Sequence, residues 1–397
     1  MSQKRKFTDT GAYCVIQLCT WSFYSILLSF SGNILRTFDF SDSKISLFLG
    51  SAAVLSLCAQ LTIGTLSGRY PDLHVSNILA GLGLTIIVGC LVVLSLGIPS
   101  PAVIAAYGLC CVAVHLIPPL SNGIAMDAIR RGSDTNYSLA RGIGSLGYSI
   151  FAYITGMLVR SRGVMTVPVM GIISSLILIS GVIWYSRCCL NRLPPHAVES
   201  GGSKKVRRDS GFLKRHPNYV IFLCATFLLQ VSHATVNNFM FQIVQHKGGS
   251  AAVQGTAAAV CALSEVPVIF LFPLMLKKLR CGGWLQLAAL GMLLKPIGTL
   301  LALTPQTLYL AQATQLVGYG LFAISSVNFA ESLVGKGESI QAQSFLGSAT
   351  TAGTIAALFS GGVICQYLGV NAMLLISFSL ALLGMLCILY AVAKNKN

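Results

Sequence analysis

The sequence predicts an all-α membrane protein with twelve transmembrane helices in two pseudo-symmetric six-helix bundles. Of its 397 residues, 54% are hydrophobic and only 10% are charged, whereas soluble domains carry about 25% charged residues. The mean hydropathy is +0.75. The apolar runs lack the strict alternation of barrel strands, so we expect helices rather than an outer-membrane barrel.

Twelve apolar runs account for most of the chain. In order, they predict spans at 11–35, 45–67, 75–97, 101–126, 137–159, 164–186, 218–243, 250–276, 284–303, 306–330, 340–366 and 370–392. Each run is long enough to cross the hydrocarbon core of a bilayer, which takes about 20 residues of α-helix.

A polar segment separates the first six spans from the last six. Residues 191–216 contain Pro194, Pro195 and a basic cluster, a composition typical of linkers. We therefore expect an N-terminal bundle at 1–190, a cytoplasmic linker at 191–216 and a C-terminal bundle at 217–397.

Glycine spacing indicates that the two halves are repeats. The same spacing occurs in the fifth and eleventh spans, at Gly147, Gly156 and Gly163 and again at Gly353, Gly362 and Gly369. Because these spans hold equivalent positions in a six-plus-six arrangement, the match favours duplication of a six-span unit.

The net charge of +16 reflects membrane topology rather than nucleic-acid binding. Most of the 27 Lys and Arg residues fall on one side of the alternating spans, the linker included. The positive-inside rule puts that side and both termini in the cytoplasm, and we expect a multi-pass protein of the cell (plasma) membrane. No motif indicates a cofactor or a metal site, and no catalytic constellation argues for an enzyme.

Two opposite charges lie inside consecutive predicted spans, Glu265 in the eighth and Lys295 in the ninth. An ionised group near the bilayer centre costs ~3 kcal/mol or more, so such groups usually face a partner or a water-filled cavity. A buried carboxylate near a cation can exchange a proton as its surroundings change. Glu265 and Lys295 are therefore candidates for proton coupling, and a static ion pair is the alternative.

The fourth and fifth spans carry the most specific motifs. Residues 118–123 read Pro-Pro-Leu-Ser-Asn-Gly, and residues 141–148 read Arg-Gly-Ile-Gly-Ser-Leu-Gly-Tyr. These runs resemble the major facilitator group that includes lactose permease, nucleoside permeases and the phenylpropionate permease. The resemblance implies the major facilitator fold and places Arg141 in the substrate cavity, with Tyr148 at a position that stacks on the solute. Gly123 stands where lactose permease has a Glu that partners this Arg.

Weaker motifs extend the resemblance into the second half and a cytoplasmic loop. Ser-Glu-Val-Pro at 264–267 follows the family's Glu-Val-Pro, and Gln-Leu-Val-Gly at 315–318 has Gly318 in place of the family's His. The mid-span histidines His115 and His233 are candidates to replace that His, or each bonds a neighbouring helix. Residues 64–72 resemble the cytoplasmic loop motif and predict gating roles for Arg69 and Asp72.

These signals together predict a secondary transporter that moves a small organic solute with a proton. The proton-coupling candidates are Glu265, Lys295 and His233. The candidate substrate-binding residues are Arg141, Tyr148, Asn122, His115, Asn237, Asn238 and Gln315. The expected partners are the solute, protons and the lipid bilayer, and we expect a functional monomer. A proton-coupled efflux antiporter and a non-transporting receptor or channel are the alternatives.

Overall fold

The computed structural model describes residues 2–69, 74–97, 100–193, 212–275, 281–334 and 339–395. Within these ranges the chain is helical between short loops, and no strand is present. Ten of the described helices are long and apolar enough to cross a membrane. The predicted all-α membrane fold is confirmed.

Contacts divide the chain into two compact units. The first comprises Met1–Ala197 and Gly248–Ala259, and the second comprises Val198–Lys247 and Val260–Asn397. The predicted C-terminal bundle at 217–397 includes residues 248–259, which the contacts assign to the first unit. The predicted boundaries at 190 and 217 stay a prediction, and linker residues 194–211 lie outside the described residues.

In the first unit, α1 packs against α6 and α7, while α4 packs against α5 and α7. Buried aromatic side chains, Tyr13 and Phe23 among them, fill the space between these helices. The helices are α1 (Ser2–Phe23), α2 (Ser31–Thr37), α3 (Asp42–Arg69), α4 (Val75–Leu96), α5 (Pro101–Arg130), α6 (Tyr137–Arg162) and α7 (Thr166–Cys188).

In the second unit, α9 packs along α15, and α12 packs against α14 and α15. Its core contains Tyr219, Phe222, Phe322 and Phe329, all fully buried. The helices are α8 (Phe212–Arg215), α9 (Pro217–Asn238), α10 (Met240–His246), α11 (Ala251–Met275), α12 (Cys281–Leu301), α13 (Pro305–Ala313), α14 (Tyr319–Ser332) and α15 (Ser339–Lys394). Helix α11 begins in the residues assigned to the first unit.

The glycine repeat has a matching conformation in both halves. Gly163 ends α6 with φ +87°, and Gly369 bends α15 with φ +86°. Glycine adopts this left-handed region without a steric penalty. The bend divides α15 into the eleventh and twelfth predicted spans, which the backbone would otherwise join in one helix.

Three of the predicted spans contain an interruption in the helix. A π-helical turn at Tyr24–Leu28 separates α1 from α2, and Phe239 separates α9 from α10. The tenth span divides into α13, a 3₁₀ turn at Thr314–Leu316 and α14. Beside this last break the chain lies directly against α12, because a Cβ on Gly291 would lie 2.5 Å from the Gly318 nitrogen. The two backbones are in contact there with no side chain between them.

Candidate functional site

Each unit contains a polar cluster built from side chains of membrane-spanning helices. The arginine cluster consists of Gln17, Trp21, Asn122, Arg141 and Ser145 in the first unit. The lysine cluster consists of Asn237, Cys261, Glu265, Lys295 and Gln315 in the second unit. Polar groups of this kind are costly in a membrane protein unless they bond to one another or serve a ligand.

Arg141 lies on α6 with its guanidinium carbon 4.0 Å from the centroid of the Trp21 ring on α1. Its Nη1 donates to Ser145 Oγ at 2.9 Å, one turn further along α6. A guanidinium stacked on an indole is attracted by the negative face of the ring. Gly144 makes the approach possible, because a Cβ there would lie 2.5 Å from Trp21 Cδ1.

A hydrogen-bonded chain continues from Trp21 to α5. Trp21 Nε1 donates to Gln17 Oε1 at 3.1 Å, and Gln17 Nε2 donates to Asn122 Oδ1 at 2.9 Å. Gln17 Nε2 also donates to the Tyr13 hydroxyl. Trp21 and Gln17 share one face of α1 because they are four residues apart. The chain holds the predicted residue Asn122 within the same cluster as Arg141.

Tyr148 and His115, two of the predicted substrate-binding residues, have partners of their own. The Tyr148 hydroxyl lies 2.9 Å from Ser29 Oγ. His115 Nδ1 lies 2.8 Å from the Cys111 carbonyl oxygen, and its ring contacts Tyr24 edge-on at 5.7 Å. A carbonyl can only accept, so Nδ1 carries the proton of the neutral His115 ring. The predicted binding roles of both residues stay predictions.

Lys295 lies on α12 and is 2% exposed. Its ammonium donates to Asn237 Oδ1 at 2.6 Å, to Gln315 Oε1 at 2.7 Å and to Cys261 Sγ at 3.2 Å. An ammonium has three N–H donors, and each has an acceptor here. The cluster therefore supplies a hydrogen-bond acceptor for each proton of a charged lysine that is shielded from water.

Gln315 joins Lys295 to the predicted coupling carboxylate. Its Nε2 donates to Glu265 Oε1 at 2.5 Å while its Oε1 accepts from Lys295. The predicted pair of opposite charges is thus connected through an amide. The break in the tenth span positions this amide, because Gln315 lies in the 3₁₀ turn beside Gly318, which packs on Gly291 one turn before Lys295.

A second amide, Asn237, joins Lys295 to His233. Asn237 Nδ2 lies 2.9 Å from His233 Nε2. Because Asn237 Oδ1 already accepts from Lys295, its Nδ2 donates, and His233 Nε2 accepts as a neutral ring nitrogen. The His233 ring is stacked on Tyr319 with centroids 4.0 Å apart and an interplanar angle of 3°. The three predicted coupling residues, Glu265, Lys295 and His233, therefore belong to one connected network.

The remaining predicted residues are Asn238, Arg69 and Asp72. Asn238 Nδ2 donates to the Ala234 carbonyl oxygen of its own helix at 2.8 Å. Arg69 is the last residue of α3, and Asp72 lies outside the described residues. No group of three His, Cys, Asp or Glu residues suited to a metal ion occurs in the described ranges.

The sequence interpretation missed Trp21, Gln17 and Cys261. Gln17 gave a detectable signal, because a glutamine within an apolar run usually bonds another helix or a ligand. Trp21 follows it by one helical turn and shares its face. Cys261 gave no signal, since a cysteine in a membrane span reads as a small apolar residue.

Solved structures with the same fold are transporters. A mutant of the nucleoside transporter NupG aligns with a TM-score of 0.76 and 16% identity over 97% of this chain and 99% of that chain. A bacterial homologue of the iron transporter ferroportin in an inward-facing state aligns at 0.71, with 11% identity over 97% and 98%. A mutant of the peptide transporter POT aligns at 0.70, with 14% identity over 99% and 95%.

The helical membrane fold is that of a multi-pass transporter of the major facilitator type. The MFS_1 like family matches residues 13–376, and the chain belongs to that family. Its family and fold are those of transporters, not enzymes. No curated protein matches the sequence significantly.

Proposed function

We propose that this protein is a secondary active transporter that carries a small organic solute together with a proton across the plasma membrane. The solute is of the sugar, oligosaccharide or nucleoside type. The protein acts as a monomer by alternating access, with both termini in the cytoplasm.

The observation that carries the proposal is the network around Lys295. A buried ammonium with all three protons bonded is linked through Gln315 to the Glu265 carboxylate. A hydrogen bond to an ionised carboxylate is roughly twice as strong as one between neutral groups. Protonation of Glu265 therefore weakens its bond to Gln315 and changes the surroundings of Lys295. Proton coupling requires a group whose hydrogen bonds differ between its protonated and its ionised state.

The arginine cluster supplies the solute-binding part of the proposal. Arg141 is held by Trp21 and Ser145, so its orientation is fixed before a solute arrives. Preorganised donors bind with a smaller entropic cost than mobile ones. The solute and the proton thus use clusters in separate units, and alternating access couples them.

Transport by purified protein in proteoliposomes tests the proposal. We expect saturable counterflow of a solute and uphill accumulation under an imposed proton gradient. Glu265→Gln keeps the size and hydrogen-bonding capacity of the side chain but cannot release a proton, so it should retain counterflow and lose accumulation. Glu331→Gln is the matched control, because Glu331 is an exposed carboxylate at the end of α14.

Each outcome has a distinct meaning. Proton-driven accumulation by Glu265→Gln would remove Glu265 from coupling. Solute movement that occurs only in the direction opposite to proton movement would identify an efflux antiporter. Ion conductance without counterflow would identify a channel and contradict the proposal.

A further inference from the structure

Arg141 is a membrane-span cation without an acidic partner in the part of the chain that the structure describes. The ion pairs found there join Arg36 to Asp42 and Arg131 to Asp127, near helix ends. The neighbours of Arg141 are uncharged: Trp21 against its face and Ser145 at one nitrogen. The positive charge of the arginine cluster is therefore not balanced by the cluster itself.

The geometry leaves one edge of the guanidinium available. Arginine has five N–H donors in one plane. Trp21 covers a face of that plane, and Ser145 accepts from Nη1, so the remaining in-plane donors have no acceptor among the described residues. Two parallel N–H groups on such an edge match the two oxygens of a carboxylate.

The surroundings on α5 are neutral and open. Asn122 uses its Oδ1 to accept from Gln17, which leaves its Nδ2 as a donor without a partner in the described ranges. A Cβ on the next residue, Gly123, would meet no heavy atom within 4 Å. This part of α5 therefore offers an amide donor and free space but no negative charge.

We propose that the transported solute carries a carboxylate, which binds the free edge of Arg141 and neutralises its charge. The inference rests on the proposed function and narrows its solute to the acidic members of that class, such as sugar acids and acidic oligosaccharides. A neutral sugar or nucleoside would leave the charge of Arg141 unpaired in the membrane domain, at an energetic cost that a carboxylate removes.

Matched pairs of acids and neutral analogues test the inference by direct binding. The probes are glucuronate against glucose and galacturonate against galactose, at neutral pH in a non-ionic detergent. The chain has three tryptophans, so a Trp184→Phe, Trp284→Phe variant makes Trp21 the only indole reporter beside Arg141. We expect at least one acid to change Trp21 fluorescence and to bind at least about tenfold more tightly than its neutral partner.

Two substitutions locate the effect. Arg141→Gln should abolish the preference for the acid. Asn122→Asp keeps the acceptor for Gln17 but adds a negative charge to the cluster, so it should weaken acid binding by about tenfold or more. Thermal unfolding in the absence of solute confirms that both variants fold.

The inference is overturned if no acid binds, if neutral analogues bind as tightly as their acids, or if acid binding is the same in Arg141→Gln. A neutral compound that binds and exchanges in counterflow would overturn the inference and leave the transporter proposal intact. Failure of counterflow despite tight acid binding would contradict the transporter proposal instead.

Discussion

Lys295 and Glu265 are joined by a single side chain: Gln315 accepts from Lys295 Nζ at 2.7 Å and donates to Glu265 Oε1 at 2.5 Å. A glutamine amide has one accepting and one donating end. It therefore bridges an ammonium and a carboxylate in one orientation only. This relationship makes Gln315 a positioning residue whose removal affects both charged groups together.

We expect Gln315→Leu to destabilise the protein and to uncouple transport. Lys295 loses one of three acceptors in a buried site, and Glu265 loses a donor, which costs about 2–4 kcal/mol when a charged group is left under-bonded. SDS-induced unfolding measures the first effect, and proton-driven accumulation in proteoliposomes measures the second.

Gln312→Leu is the control for this prediction. Gln312 is also fully buried and lies three residues earlier, but it donates to the neutral Thr299 hydroxyl at 3.1 Å. Its loss should cost only about 1 kcal/mol and leave accumulation intact. Equal effects of the two substitutions would contradict the bridging role of Gln315.

Gly291→Ala should disturb the same network through the backbone. The new Cβ would lie 2.5 Å from the Gly318 nitrogen and 2.6 Å from the Val317 carbonyl carbon, so the turn that carries Gln315 has to move. Overpacking of this kind costs about 1–3 kcal/mol. We expect a lower unfolding midpoint together with weaker proton-driven accumulation.

Gly347→Ala provides the comparison, since a Cβ there meets nothing within 4 Å. Replacing glycine by alanine in an open helical position is neutral or stabilises by up to about 1 kcal/mol. If Gly291→Ala behaves like Gly347→Ala, close packing at Gly318 does not position Gln315.

The sequence predicted the helices well because hydrophobic length is a local property. The third span, predicted at 75–97, is α4 at Val75–Leu96, and the eighth, predicted at 250–276, is α11 at Ala251–Met275. The break at 314–318 was not predictable, because the tenth span contains no proline after its start. The close approach to the distant Gly291 leaves no periodicity to detect.

The sequence identified the charged residues of the clusters but not their partners. Arg141, Glu265 and Lys295 stand out because charge is rare in spans. Trp21 and Gln17 become partners of the α5 and α6 residues only because one face of α1 packs on those helices.

Lys247 should stabilise the second unit from outside the membrane spans. Its ammonium donates to the carbonyl oxygens of Leu300 at 3.3 Å and Ala302 at 2.6 Å, at the end of α12. A cation at a helix C-terminus bonds carbonyls that lack helical partners. Burial removes water from the Lys247 ammonium and lowers its pKa. The two carbonyl bonds offset part of this loss of hydration.

We expect Lys247→Met to lower the free energy of unfolding by about 1–2 kcal/mol, as measured by SDS-induced unfolding. Lys44→Met is the control, because Lys44 is exposed on α3. A loss of stability in Lys44→Met equal to that in Lys247→Met would show that removal of a surface charge, rather than capping of α12, is responsible.

Trp21→Leu should weaken solute binding by releasing Arg141. Without the indole face, the guanidinium loses an attraction of about 0.5–2 kcal/mol and samples other rotamers. This corresponds to a Kd that rises by about 2- to 30-fold for the transported solute. Trp21→Phe keeps an aromatic face but removes the hydrogen bond to Gln17, so its Kd should lie between those of the wild type and Trp21→Leu. Calorimetric titration measures all three.

Trp184→Leu, at an exposed position of α7, should bind like the wild type. If Trp21→Leu also binds like the wild type, the orientation of Arg141 does not depend on Trp21.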